Sequence, residues 1–298
     1  MRALLCPGQG TQKAGMVTPW LDQRSLIDEM SEAADLDLIE FGCNADDATV
    51  TDTAIAQPLI VAVGLLSYAA LTSPTVDVVA GHSVGELTAL AVAGVITPAQ
   101  AVRLAAVRGR AMADAAALER TSMSAVVGGD RAEVESAVTS AGAVLANYNS
   151  SRQVVAAGTL DQLATLAENP PARARVIPLS VAGAFHTRFM APATDAVRAE
   201  IENYDPRDPQ ITLLTNRDGS AVRSGTEALA NIVSQITSPV RWDLCQASLV
   251  SATALVEVAP GGVLTGLAKH ELRGVPASAI SGPDDIASAL ETLEASDS

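Results

Sequence analysis

The sequence predicts an α/β fold that has a parallel sheet as its core and a smaller βαββαβ unit inserted into that core. Two observations carry this prediction. Residues 1–119 alternate apolar strand-like runs with helical patterns, which is typical of a parallel sheet covered by helices. The order of predicted elements then changes to strand, helix, strand, strand, helix, strand. The last third of the chain resumes the α/β alternation.

The inserted unit has the element order of a ferredoxin-like fold. Its strands and helices are expected at 124–128, 131–140, 144–148, 153–157, 160–168 and 175–179. The chain is expected to cross between the two parts at Thr121–Ser122 and Val181–Gly183. We therefore expect a small ferredoxin-like subdomain, 122–183, set into a large α/β catalytic subdomain formed by 1–121 and 184–298.

An apolar run that ends in Gly-x-Ser-x-Gly lies in the first α/β part. Val76–Ala80 reads as a strand, Ser83 stands between Gly81 and Gly85, and a helical pattern follows. This is the nucleophile elbow of hydrolase-like parallel sheets, in which a Cβ at either glycine would clash with the strand or the helix. The N–H of Val84, at the helix start, would point to where an oxyanion forms. The alternative is a glycine-rich turn with an incidental serine.

A serine nucleophile needs a base, and the chain contains three histidines. His82 adjoins Ser83 on the turn, so its ring leaves in another direction and reads as a wall residue. His270 lies in a charged helical stretch and reads as a surface residue. His186 lies in a small-residue turn between a strand and a helix, from which a base could reach the elbow. Elimination makes His186 the candidate.

The carboxylate of a triad is not evident in the sequence. Asp114, Asp130 and Asp161 lie between Ser83 and His186, and they read as helix-capping, first-turn or helix-surface acids. Either a backbone carbonyl orients the base or the acid escapes detection. In both cases the chain departs from the Ser…Asp…His order of α/β-hydrolases.

Eight short motifs follow one another along the chain. They are Pro7-Gly8-Gln9-Gly10-Thr11-Gln12, Ala56-Gln57-Pro58, Gly81-His82-Ser83-Val84-Gly85-Glu86, Arg108-Gly109, Asn147-Tyr148-Asn149-Ser150, Ala184-Phe185-His186, Ser238-Pro239-Val240-Arg241-Trp242 and Glu257-Val258-Ala259-Pro260-Gly261. Together they resemble the malonyl-CoA:acyl-carrier-protein transacylases and the acyltransferase domains of fatty-acid and polyketide synthases. An ordered set of this kind is far more specific than one elbow.

The resemblance implies catalytic roles residue by residue. Ser83 would carry the acyl group as an ester, and His186 would be its base in a Ser–His dyad. The main-chain carbonyl of Gln235 would orient the histidine. Gln9 and the N–H of Val84 would form the oxyanion hole; read alone, the glutamine turn is a source of neutral donors or an ordinary polar loop.

The resemblance also implies how the substrate is bound. Arg108 would take the free carboxylate of malonate, although its helical pattern alone favours a solvated arginine. A guanidinium is always charged and presents a planar fork, and an acetyl group would leave it unpaired. Phe185, the aromatic residue before the base, leans towards malonyl over methylmalonyl. Gln57, Asn149 and Ser150 match pocket-lining or structural positions of the family. His82 is expected beside the substrate as a wall residue.

The implied activity is transfer of malonyl from malonyl-CoA to the pantetheine thiol of acyl carrier protein, in a ping-pong reaction that supplies fatty-acid synthesis. No cofactor or metal is expected. Three other interpretations stay open: a discrete malonyl loader for a polyketide pathway, a serine thioesterase or esterase, and a non-catalytic carrier-binding protein. Most esterases and thioesterases have no use for a buried guanidinium such as that of Arg108. A binding protein would be expected to lose Ser83, His186 or Gln9.

Composition limits the partners and the location. The net charge of −15 argues against nucleic acid and anionic membranes, so any contact with CoA phosphates or an acidic carrier needs a local arginine patch. Candidates for that patch are Arg103, Arg110, Arg188 and Arg241. The apolar stretch Leu59–Leu71 is too short to span a bilayer. Three widely spaced cysteines fit reduced thiols in a cytoplasm, and the acidic end 291–298 is expected to be a frayed tail.

Overall fold

The computed structural model describes residues 1–295 and forms nine strands and twelve α-helices within them. The strands are β1 (Arg2–Cys6), β2 (Val78–Gly81), β3 (Thr121–Gly128), β4 (Val144–Ser150), β5 (Gln153–Thr159), β6 (Ala174–Pro178), β7 (Thr212–Leu214), β8 (Ala254–Glu257) and β9 (Ala277–Ala279). The helices are α1 (Arg24–Ala34), α2 (Asp47–Thr51), α3 (Thr53–Ala70), α4 (Gly85–Val92), α5 (Pro98–Leu118), α6 (Arg131–Ser140), α7 (Leu160–Glu168), α8 (Thr194–Ile201), α9 (Gly225–Gln235), α10 (Trp242–Ser248), α11 (Val263–Glu271) and α12 (Ile286–Glu294).

The larger sheet is parallel, with strand order β7-β2-β1-β8-β9. Its central strands read as short continuous apolar runs because helices cover both faces. β1 and β2 are buried over almost their whole length. Since β7, β8 and β9 follow the inserted unit in the chain, the last third returns to the sheet that the first third begins. The predicted α/β class is confirmed.

The smaller sheet is antiparallel, with strand order β4-β5-β3-β6, and it carries α6 and α7. Counted within the unit this is the order 2-3-1-4 of ferredoxin-like folds. Both helices have the bounds that the sequence predicts. β3 starts at Thr121, three residues before the predicted strand, because Thr121 and Ser122 pair with Thr159 and Gly158. The crossing expected at Thr121–Ser122 therefore falls on the first two residues of this strand. The division of the chain into two subdomains stays a prediction.

α3 differs from the short apolar stretch expected from the sequence. Asp52 accepts the N–H of Ala54, so the helix starts at Thr53 and runs for 18 residues. By length and composition it could cross a membrane, and the length argument made from the sequence is therefore wrong. However, 72% of the helix is buried inside this protein, as in a core helix.

The acidic C-terminal end is helical up to Glu294, so the expectation of a tail that frays from residue 291 is wrong there. Ala289 and Leu293 are buried and pack this last helix onto the core. Residues 296–298 of the expected tail lie outside the described residues.

Candidate active site

The turn between β2 and α4 holds Ser83 in an uncommon conformation. Its φ is 54°, in the left-handed region that residues other than glycine seldom adopt. A Cβ on Gly81 would overlap the backbone of Gly85, and a Cβ on Gly85 would overlap the carbonyl of Cys6. The Ser83 N–H donates to Asn216 Oδ1 at 2.8 Å. Close backbone packing and this hydrogen bond together keep the serine at the apex of the turn.

The Ser83 hydroxyl lies against His186. Ser83 Oγ is 2.7 Å from His186 Nε2, and His186 Nδ1 is 2.9 Å from the main-chain oxygen of Gln235. A carbonyl oxygen only accepts, so Nδ1 carries the proton and Nε2 presents its lone pair to the serine. That tautomer can accept the hydroxyl proton without the help of a carboxylate.

The surroundings of His186 keep its ring neutral. Burial, and after it the positive charge of Arg108, lower the pKa of His186 to about 3, although the hydrogen bond to Gln235 opposes the shift. The imidazole is therefore free to act as a base throughout the neutral range.

A cavity of about 200 Å³ opens over the dyad between the two sheets. Of the predicted residues, those that line it are Gln9, Gln57, His82, Ser83, Arg108, Asn149, Phe185 and His186. Val84 lies at the start of α4, where an N–H has no carbonyl one turn back to bind. Gln235 lies behind the cavity wall, where it is buried. The structure thus gathers these ten predicted residues around one cavity.

Arg108 is buried, with 1% of its surface exposed, and the solvated arginine that its helical pattern favours is wrong. Gly109 explains the difference, because it lets α5 approach the carbonyl of Thr53 on α3. Arg108 Nη1 donates to Gln57 Oε1 at 2.7 Å, and Nη2 donates to Gln235 Oε1 at 2.8 Å. Its Nε has no partner among the described residues. Burial lowers the pKa of Arg108 to about 10, so the guanidinium stays charged at neutral pH.

The remaining predicted residues form the cavity wall. Gln9 Nε2 donates to Thr53 Oγ1 at 3.2 Å. His82 Nε2 lies 2.9 Å from Asn149 Oδ1, which joins the elbow to β4. Phe185 is buried beside the base and lines the cavity. These contacts agree with wall positions for His82 and Asn149.

Sequence reasoning missed two polar residues of the site, Glu86 and Asn216. Asn216 follows β7 at the carboxyl end of the parallel sheet, and its side chain binds both the Ser83 N–H and the Gly81 carbonyl. Glu86 Oε1 accepts the Asn216 N–H at 2.6 Å, and Oε2 accepts the Gln235 side-chain amide. Polar residues at the carboxyl ends of parallel strands are a signal that could have identified Asn216.

The four candidate arginines do not line this cavity in the described part of the chain. Arg103 pairs with Glu200 at 3.3 Å, and Arg241 pairs with Asp243 at 3.0 Å. Their charges are already used within the protein, so they are poorer candidates for an anion-binding patch than the sequence suggests.

Comparison with known proteins gives one consistent result. Residues 3–289 match a family described as the acyl transferase domain. The malonyl CoA-acyl carrier protein transacylase of Mycobacterium tuberculosis (strain ATCC 25618 / H37Rv) is 53% identical over 296 residues, covering 96% of this chain and 98% of the relative.

Solved structures agree with that relationship. A crystal structure of MCAT from Mycobacterium tuberculosis matches with a TM-score of 0.93 at 52% identity, covering 97% of this chain and 99% of the other. A type II PKS acyl-carrier protein in complex with its malonyl-transacylase provides a second match, with a TM-score of 0.91 at 27% identity and coverage of 97% and 99%. This chain therefore belongs to the malonyl-CoA:acyl-carrier-protein transacylase family of acyl transferase domains.

Proposed function

We propose that this chain transfers the malonyl group of malonyl-CoA to the pantetheine thiol of an acyl carrier protein through an acyl-enzyme on Ser83. The observation that carries the proposal is one cavity that holds both the dyad, with Ser83 Oγ 2.7 Å from His186 Nε2, and the buried guanidinium of Arg108. The names of the similar proteins support the same activity.

Acylation begins when His186 Nε2 takes the proton of Ser83 Oγ as this oxygen attacks the thioester carbonyl. A C–O bond forms, and the carbonyl electron pair moves to the oxygen, where Gln9 and the N–H of Val84 stabilise the anion. Collapse of the intermediate breaks the C–S bond, and His186 returns its proton to the departing CoA sulfur. The malonyl group then remains as an ester on Ser83.

Deacylation repeats these steps with a carrier thiol in place of the serine. His186 takes the thiol proton as the pantetheine sulfur attacks the ester, a C–S bond forms, and the C–O bond to Ser83 breaks. His186 then reprotonates Ser83 Oγ. All of these steps use groups of this chain and of the two substrates.

Arg108 supplies the acyl selectivity in this proposal. Its two hydrogen bonds are to neutral amide oxygens, of Gln57 and Gln235, so its positive charge is not neutralised by a carboxylate in contact. A malonyl carboxylate would bind the guanidinium directly, whereas an acetyl group would leave its fork without a carboxylate in contact. Phe185 narrows the cavity beside the base and would disfavour an α-methyl group, an effect of about 1–3 kcal/mol.

We further propose that the enzyme supplies malonyl groups to fatty-acid synthesis and acts in the cytoplasm. The thiols of Cys6 and Cys245 are buried and free, which agrees with a reducing compartment. The complex of a malonyl-transacylase with a type II PKS carrier keeps the polyketide loader as the second candidate. Assays with one carrier from each pathway separate the two, because the cognate carrier should be loaded with the higher kcat/KM.

The test of the transferase is a transfer assay followed by intact-mass measurement of both proteins. Malonyl-CoA is mixed with the enzyme and a carrier that bears pantetheine, and free malonate is measured in the same samples. We expect malonyl to accumulate on the carrier with little free malonate. If free malonate accumulates equally fast with and without the carrier, the chain is a thioesterase and the proposal is wrong.

A further inference from the structure

Glu86 is a buried carboxylate directly behind the catalytic serine. It lies in the first turn of α4, has 4% of its surface exposed and does not line the cavity. Its two oxygens accept from different donors, Oε1 from the Asn216 N–H and Oε2 from the Gln235 side-chain amide. A side-chain amide has only one acceptor oxygen, so Gln at position 86 would turn an N–H donor towards one of these two donors.

Gln235 connects Glu86 to the rest of the site. Its main-chain oxygen holds His186, and its side-chain Oε1 accepts from Arg108 at 2.8 Å. Its Nε2 donates to the Ser83 carbonyl at 3.1 Å as well as to Glu86. The guanidinium is only a donor, while an ionised carboxylate is only an acceptor. The charge on Glu86 therefore favours the amide orientation that turns Oε1 towards Arg108.

Glu86 also supplies a negative charge for Arg108 without touching it. Each charge lies on one side of the Gln235 amide, and the negative charge of Glu86 opposes the lowering of the Arg108 pKa. Direct contact between the two would occupy the fork that an incoming carboxylate needs. The amide between them keeps the buried cation compensated while its remaining N–H groups stay available.

We propose that Glu86 is a positioning residue that acts through the Gln235 amide to hold the Arg108 fork for an acyl carboxylate, and that it thereby sets the preference for malonyl over acetyl. This inference rests on the proposed malonyl transfer. It assigns to Glu86 no contact with the substrate and no proton transfer in the reaction.

Loss of the Glu86 charge changes the preference for malonyl in one direction if Glu86 acts by positioning and in the opposite direction if it acts only by its charge. A negative charge near the acyl pocket repels a malonyl carboxylate, so loss of that charge alone would increase the preference for malonyl. Loss of positioning would decrease it, because a turned Gln235 amide would present a donor to Arg108 and displace the fork. If Glu86 is a positioning residue, the preference for malonyl over acetyl must decrease when its charge is lost.

The experiment compares Glu86→Gln with the wild-type protein and with Glu257→Gln. Glu257 is the matched control, since it is also buried and accepts backbone N–H groups at the start of α11, from Gly262, Leu264 and Thr265. The described hydrogen bonds of its side chain are to this helix start and not to Gln235 or Arg108. Rates of acyl-enzyme formation from malonyl-CoA and acetyl-CoA are measured by quenched flow and intact mass. We expect the malonyl-to-acetyl rate ratio to fall about tenfold or more in Glu86→Gln, the loss of roughly one charge-assisted hydrogen bond. In Glu257→Gln the ratio should be unchanged.

Circular dichroism shows whether Glu86→Gln is folded. A folded variant whose ratio is unchanged or increased overturns the inference. A wild-type protein that forms no malonyl adduct on Ser83 at any pH overturns the proposed function and this inference with it. If malonyl still forms an adduct on Ser83 but the malonyl-to-acetyl rate ratio changes, the result bears on the role of Glu86 and leaves the proposed function intact.

The wild-type protein provides a second measurement that needs no variant. Burial raises the pKa of Glu86 to about 7, and the hydrogen bonds from Asn216 and Gln235 limit the shift. Acidification from pH 8 to pH 6 should therefore reproduce the fall in the ratio, up to about tenfold. Among the described residues, the titratable groups that interact with Glu86 are Arg108 and Cys245, and neither changes charge in this window, because the pKa of Arg108 is lowered only to about 10 and burial raises that of the Cys245 thiol. The base His186 also stays neutral, because burial lowers its pKa to about 3. A ratio that rises on acidification overturns the inference, because loss of the negative charge without loss of positioning has that sign.

Discussion

The two walls of the cavity differ in chemistry. The wall from the parallel-sheet part carries Ser83, His186, Arg108 and the glutamines that hold them. The wall from the antiparallel sheet carries neutral amides and apolar side chains, namely Met123, Asn147, Asn149, Gln153 and Val155. The groups that carry charge or form bonds thus lie on one hydrogen-bonded network, whereas the opposite wall shapes the cavity. We therefore expect substitutions on the parallel-sheet wall to change the reaction rate strongly, and differently for malonyl and acetyl. Substitutions on the antiparallel wall should change the rate little and equally for both acyl groups.

The largest effect is expected from His186→Ala. Loss of the base leaves the Ser83 hydroxyl without a proton acceptor at 2.7 Å, so acylation by malonyl-CoA should slow by about four orders of magnitude. Quenched-flow mass measurement checks this, with His270→Ala as the control because His270 is exposed on α11. Less than tenfold slowing would show that another group serves as the base.

The next effect is expected from Arg108→Ala. A malonyl carboxylate would lose a charged bidentate partner, and each such bond contributes about 1.5–3 kcal/mol, so kcat/KM for malonyl-CoA should fall a hundredfold or more. Acetyl-CoA should be affected much less. Arg103→Ala is the control on the same helix, since Arg103 pairs with Glu200 outside the cavity. If kcat/KM falls equally for malonyl-CoA and acetyl-CoA, Arg108 does not determine the acyl selectivity.

A small effect is expected from Asn149→Ala on the neutral wall. His82 would lose its acceptor at 2.9 Å, an effect of roughly 1 kcal/mol on the geometry of the elbow, or about fivefold in rate. The loss should be the same for malonyl-CoA and acetyl-CoA, as steady-state kinetics with both thioesters can check. A change in the malonyl preference would contradict the division between the walls.

The smallest effect is expected from pH on a neutral substrate. The pKa of His186 is lowered to about 3 by burial and by Arg108, so the base keeps its active, neutral form as the pH falls from 8 to 5. The burst of p-nitrophenol from p-nitrophenyl acetate should have a constant rate over this range. A loss of rate centred near pH 6.5 would show that His186 titrates normally and that the cavity is wetter than its burial indicates.

The sequence predicts the fold well because local patterns determine it. Helices 131–140 and 160–168 have the observed bounds, since Asp130 caps the first and Thr159 forms a capping box on the second. The dyad also follows from local signals, a strained turn and a histidine in a second turn. Both residues have positive φ, of 54° and 60°.

Long-range contacts explain what the sequence does not reveal. Arg108 reads as solvated because only the approach of α3 at Gly109 buries it. Glu86 lies in the first turn of α4, but its partners Asn216 and Gln235 lie 130 and 149 residues away in the chain. Periodicity within a helix carries no information about partners at that separation.

The most direct test of the account maps the acyl group on the enzyme after brief mixing with malonyl-CoA. Peptide mass spectrometry of the quenched protein should find one malonyl group, on the peptide that contains Ser83, and none in Ser83→Ala. Added pantetheine thiol should remove it. A malonyl group on another residue, or one that persists in Ser83→Ala, would contradict the assignment of the chemistry to the parallel-sheet wall.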